Sequence, residues 1–104
     1  MKRVMIFITQ LIYVKPGQEQ IFHDFENVAI PLIAKHNGTL LLRIRPSETE
    51  IIETNIDPPY EVHLVNFATE RDLENFMGDG ERQRFLHLKQ ASIQSAILIK
   101  GQQI

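Results

Sequence analysis

Residues 4–14 read Val-Met-Ile-Phe-Ile-Thr-Gln-Leu-Ile-Tyr-Val and run directly into Lys15-Pro16-Gly17. β-Branched and aromatic residues bounded by a Pro-Gly turn predict a strand. Val4, Ile6, Ile8, Gln10, Ile12 and Val14 fall on one side of it, and Met5, Phe7, Thr9, Leu11 and Tyr13 on the other. Both sides are mainly apolar. A strand with one wet face alternates apolar with polar residues, so this strand requires cover on both faces.

Outward from it, the period changes between about Gly17 and His36. Ile21, Phe22, Phe25, Val28, Ala29, Leu32, Ile33 and His36 share one helical face, while Glu19, His23, Asp24, Glu26, Asn27 and Lys35 take the outer side. Pro31 also falls on the outer side, where the missing backbone donor bends the helix, and Asn37-Gly38 closes it as a left-handed cap. Thr39 to Arg45 predicts a second strand, with Leu40, Leu42 and Ile44 on one face and Thr39, Leu41, Arg43 and Arg45 on the other. Pro46 to Glu50 reads as a turn, Ile51 to Glu53 as a short strand, and Asn55 to Pro59 as a loop. Tyr60 to Phe67 is the third main strand. Thr69, with Asp72 at capping-box spacing, starts a helix that carries Leu73, Phe76 and Met77 inward and stops at Gly78. Another turn or two begins at Asp79 or Gly80, with Phe85, Leu86 and Leu88 as apolar contacts. Ser92 to Ile99 is a last strand, again apolar on both faces.

The order β-α-β-β-α-β, with right-handed crossovers, gives a ferredoxin-like α+β domain: a four-stranded antiparallel sheet with its helices on one face. The other face would be polar in a monomer, yet the first and last strands are apolar there too. Uncovered apolar area of that size marks an interface. A homodimer with two sheets packed face to face is the economical expectation, a partner protein or a covering loop the alternative.

The chain has 104 residues, room for one domain and one core. It has no cysteine, which removes disulfides, thiolate metal sites and a cysteine nucleophile. A net charge of −2 is too balanced for non-specific binding to nucleic acid or an anionic membrane. Met1-Lys2-Arg3 before an apolar run resembles a secretory signal. No small-residue cleavage site follows it, however, and Thr9 and Gln10 interrupt it, so a cytoplasmic protein is expected. The sequon Asn37-Gly38-Thr39 would matter only in a secreted chain. There is no phosphate-binding glycine loop, dinucleotide fingerprint, nucleophile elbow or HExxH, and the four histidines lack paired ligand spacing, so neither cofactor nor metal is expected. The third strand, in Pro-Tyr-Glu-Val-His-Leu-Val-Asn-Phe (59–67), lacks the stacking aromatics among basic residues that RNA recognition on this topology needs.

Three stretches carry a family resemblance: Pro31-Leu32 leading into HNGTLLLR (36–43), VNFATERDLENF (65–76), and LHLKQASIQSAILIKG (86–101). On these the chain resembles the dimeric α+β-barrel superfamily, and within it a small bacterial family known as a domain of unknown function. The resemblance implies a homodimer with a small-molecule pocket between sheet and helices. Other members of that superfamily include cofactor-free monooxygenases, isomerases and haem-degrading or peroxidase-like enzymes. The chain departs from the smaller family's pattern at Asn66, where a carboxylate is usual, at Arg82, where an aromatic is usual, and at Lys89, where an arginine is usual. An amide at 66 cannot serve as a carboxylate base.

By that analogy, polar residues facing the enclosed space are the candidates. His63 is a natural acid or base near neutral pH, or else a half-buried histidine with one satisfied hydrogen bond. Arg43 suits a carboxylate or enolate, or else forms a strand-end ion pair. If Phe67 tucks under the helix starting near residue 70, His63 and Val65 share the helix side, and Val62, Leu64 and Asn66 face the partner. Tyr13, Thr9, Gln10 and Asn66 are candidates for orienting a ligand, and His36 for binding or for capping its helix. His23 and His87 read as exposed. Two functions follow: proton transfer or oxygenation on a small organic acid or aromatic without a cofactor, or a non-catalytic metabolite-binding or assembly module.

Overall fold

A computed structural model of the chain describes residues 5–104; Met1-Lys2-Arg3 and the expected strand start at Val4 lie outside the described residues. The elements are β1 (Ile6–Val14), α1 (Glu19–Lys35), β2 (Gly38–Ile44), β3 (Glu61–Phe67), α2 (Glu70–Met77), α3 (Gly80–Arg84), α4 (Leu86–Ser92) and β4 (Ile93–Gly101). The sheet runs β2-β3-β1-β4 with every neighbouring pair antiparallel, and the helices lie on one face: a ferredoxin-like α+β fold. Among the described residues no helix is long and apolar enough to cross a membrane.

The core lies between Ile8, Ile12, Val65 and Phe67 of the sheet and Phe22, Phe25, Ala29, Leu32 and Ile33 of α1, with Leu73 and Phe76 of α2 closing one end. The α1–β2 junction is tight. Asn37 takes the left-handed cap (φ 59°), which leaves Gly38 to open β2 where a Cβ would sit 2.7 Å from both Ile33 and Phe67. Thr69 Oγ1 accepts the Asp72 backbone N–H at 3.1 Å and donates to its carboxylate at 2.9 Å, as the spacing predicts.

Several expectations are corrected. Ile51 to Glu53 forms no strand. A 3₁₀ turn at Glu48–Glu50 precedes it and Ile52 is wholly exposed: the backbone at Ile51 is extended, but no strand of the sheet pairs with this segment. The last strand starts one residue later than expected, since α4 continues through Ser92, whose Oγ bonds the Leu88 carbonyl at 2.7 Å. His23 is half-buried rather than exposed, its Nε2 2.7 Å from the Tyr60 hydroxyl.

Two further corrections shape the site. Glu26 is buried in the α1 interface rather than on its outer side (5% exposed). On β2, simple alternation fails: Leu40 pairs with Val65, but Leu42 pairs with Leu64, so Leu41 is an extra residue in the ladder. Beyond that bulge Leu42 and Ile44 turn to the face away from the helices, and Arg43, opposite His63, turns toward them.

Candidate functional site

Spacing on two elements converges on one buried cluster. On α1, Glu26 follows Phe22 by four residues and precedes Ala29 by three, so it stands in the middle of the apolar stripe. On β3, Glu61 and His63 share the period of Val65 and Phe67, facing the helices. The Glu61 side chain is fully enclosed. It accepts hydrogen bonds from Arg43 Nε (3.0 Å), Arg45 Nε (2.7 Å) and His63 Nε2. His63 Nε2 also lies 4.0 Å from Glu26 Oε2. The β2 bulge delivers the two arginines to Glu61.

The two carboxylates carry opposite electrostatics. Burial is the largest influence on both, and it disfavours the charged form. At Glu61 the hydrogen bonds from His63, Arg43 and Arg45 outweigh it and hold the acid at about 2. At Glu26 no hydrogen bond offsets it. Burial, reinforced by the Glu61 charge and only partly opposed by His63, Arg43 and Arg82, raises the acid from 4.5 to about 7. One glutamate is a fixed anion and the other is poised between its two forms near neutral pH.

Beside this cluster lies a cavity of about 80 Å³ between sheet and helices. That is well under the ~300–1,000 Å³ of drug-sized sites, so its occupant is small. Glu26, His63, Gln10, Arg82 and Lys89 supply its polar wall; Ile8, Phe25, Val65, Leu73, Phe76 and Leu98 contribute to the rest. Arg82 stands on α3, which Asp79 caps at its N-terminus. One oxygen of Asp79 accepts the Glu81 and Arg82 backbone N–H groups, and the other accepts Lys35 Nζ (2.9 Å) and lies 2.7 Å from His36 Nε2. His36 and Lys35 hold the Asp79 acid far below the usual carboxylate range, and the clamp ties α3 to the end of α1.

Of the residues singled out in the sequence, His63 and Gln10 meet on the cavity. Arg43 stands behind it, bound to Glu61. Phe67 is buried under α2, which places Asn66 on the opposite face with Thr9 and Tyr13; the Tyr13 hydroxyl donates to the Asp57 carbonyl at 2.7 Å. His36 caps α1 and serves the Asp79 clamp. Glu26 and Glu61 were missed as site residues. The signal for Glu26 was its seat among Phe22, Ala29 and Ile33, which the helical spacing shows once charge is disregarded.

Glu26, Glu61 and His63 offer three ligand atoms within 4.8 Å of one another, as a cation would need. Glu61 already pairs with two guanidinium groups, however, one on each oxygen, and a metal would compete with both.

Comparison with known proteins identifies the fold alone. Neither a protein-family model nor a curated protein matches the chain. Among solved structures, a protein of unknown function from Rhodopseudomonas palustris superposes with a TM-score of 0.83 at 11% identity, covering 99% of this chain and 85% of that one. A DABB-family protein with a ferredoxin-like fold from Mesorhizobium loti gives 0.72 at 14%, covering 98% and 99%. A NIPSNAP-family protein from Agrobacterium tumefaciens gives 0.69 at 18%, covering 100% and 90%.

Proposed function

We propose that the protein is a cofactor-free acid–base enzyme that moves a proton on a small organic molecule held between sheet and helices, with Glu26 as the proton carrier. One observation carries this reading: two buried carboxylates flank His63, and their surroundings push one acid down to about 2 and the other up to about 7. Such divergence separates the group that keeps its charge from the group that exchanges protons at working pH. The ionised Glu26 oxygen takes a proton from a carbon next to a carbonyl. The C–H electron pair becomes the C=C of an enolate, with the charge on the former carbonyl oxygen. The same glutamic acid, its proton exchanged with solvent, then returns a proton to that carbon. Protons balance, and no oxidant or reductant enters. Glu61 keeps His63 fixed beside Glu26, and Arg43 and Arg45 hold Glu61.

The test is exchange of carbon-bound hydrogen in D₂O, followed by NMR across a panel of small ketones and oxo acids. The expected result is protein-dependent exchange with at least one member, lowered at least ~10²-fold in Glu26→Gln. His63→Gln removes a charge that favours ionised Glu26 and should shift the acidic limb of the pH profile upward. Panel members that bind without exchanging would replace this reading with that of a metabolite-binding module.

The protein is further proposed to work as a homodimer packed through the sheet face away from the helices. Leu42, Ile44, Ile97 and Ile99 on that face are 42–55% exposed, and the enclosed Asn66 Oδ1 there lacks a donor. Light scattering across a dilution series should give about twice the 12.1 kDa of one chain. A monomer throughout would refute the dimer.

A further inference from the structure

The cavity wall holds more positive charge than its surroundings neutralise. Arg82 is nine-tenths buried (6% exposed), its guanidinium 5.8 Å from the centre of the Phe25 ring and 5.3 Å from that of Phe76. Its NH1 group donates to the Met77 carbonyl at 3.2 Å, while its Nε has no hydrogen-bond acceptor. Lys89, half-buried on α4, reaches the same cavity and makes no hydrogen bond or ion pair among the described residues. The nearby anions are committed elsewhere: Glu61 to Arg43, Arg45 and His63, and Asp79 to Lys35 and His36. Glu26 makes no ion pair with either cation.

Burying a cation without a counter-ion is costly, and a group that arrives with an anion relieves the cost twice here. Burial holds both Arg82 and Lys89 below their ordinary ranges; the Arg82 charge adds to the effect at Lys89, and the Glu26 charge opposes it only in part at each. The remaining wall is aliphatic and aromatic.

We propose that Arg82 and Lys89 form a carboxylate subsite, so that the ligand of this cavity is a small oxo acid with one carboxylate, one carbonyl for the proton transfer and otherwise apolar carbons. The subsite rests on the reading of the cavity as a reaction site and names its substrate class: the carboxylate docks on the α3–α4 side and the apolar carbons lie toward Ile8 and Val65.

The test uses straight-chain monocarboxylates from acetate to hexanoate and the primary alcohols of the same lengths, titrated into the protein by calorimetry and NMR. The expected result is saturable binding of at least one carboxylate, at least ~10-fold tighter than its matched alcohol, the size of one charge-assisted hydrogen bond. Lys89→Met should remove most of that preference and leave the alcohol unchanged. Arg82→Lys keeps the charge but loses the fork, and should weaken the carboxylate without unfolding the chain. Equal affinity for acid and alcohol, no saturable carboxylate binding, or preference intact in both variants would overturn the subsite. Glu26-dependent exchange of neutral ketones without carboxylate preference would do so while leaving the acid–base reading standing. Carboxylate binding through Lys89 without any exchange would do the reverse.

Discussion

Glu26→Gln should raise the melting temperature at pH 8 by about 10 °C or more and leave it almost unchanged at pH 4. The reason is the carboxyl group's seat in the α1 interface. In the unfolded chain the acid ionises around 4.5, and in the folded chain at about 7. Between those values the folded state binds more protons, so stability falls as pH rises, and above about 7 the loss is complete. A move from 4.5 to about 7 corresponds to about 3 kcal/mol, and for a domain of this size each kcal/mol moves the midpoint by ~4–8 °C. Glutamine has the shape of the protonated acid and never ionises, so it removes the penalty at high pH and changes little at low pH. Thermal unfolding of both proteins from pH 4 to 9 would show two curves that meet at the acid end and diverge toward neutrality. Parallel curves, or a variant less stable at every pH, would mean that Glu26 has a partner in the folded state and cannot be the proton carrier. The same substitution lowers the proposed exchange, so in Glu26→Gln stability at neutral pH and exchange should move in opposite directions.

The architecture was legible because it follows from periodicity. The two-sided apolar pattern of residues 4–14, the three-four spacing of α1 and the Thr69–Asp72 cap each fix an element locally, and their order leaves one economical sheet. The site was only half legible. His63 announced itself by residue type, and its face followed from Phe67 two turns of the pleat away. Glu26 sat in the apolar stripe by position, but its charge suggested the outer side, and only the tertiary partners show that a carboxyl group is enclosed there. Arg43 was legible as a candidate but its face was not: Leu40, Leu42 and Ile44 alternate cleanly in sequence, and nothing local marks Leu41 as the residue that drops out of register. The expected strand at Ile51 to Glu53 failed in the opposite sense, since its residue types suit a strand but no neighbour pairs with it.

Glu61→Gln should destabilise the protein by about 2–3 kcal/mol at pH 7, with the difference shrinking to about 1 kcal/mol at pH 3. Glu61 is an enclosed anion with three donors; glutamine removes the charge and one of the two acceptor oxygens, and turns an NH2 donor toward His63 or the guanidinium groups. Arg43 and Arg45 are 32% and 48% exposed and can turn toward water, which keeps the cost below the 3–5 kcal/mol typical of a fully buried pair. The pH dependence runs opposite to that of Glu26. Here the folded-state acid, at about 2, lies below the unfolded value of 4.5, so its stabilisation is present above 4.5 and fades as pH falls through 2. Urea titrations at pH 7 and pH 3 measure both quantities. An undiminished difference at pH 3 would show that Glu61 acts through shape rather than charge, and His63 would then lack the fixed anion that the acid–base reading places behind it. With the charge gone, Glu26 loses a neighbour that disfavours its ionisation, so its titration near 7 should move down. The acidic limb of any exchange profile should move with it, a coupling that a purely structural Glu61 would not produce.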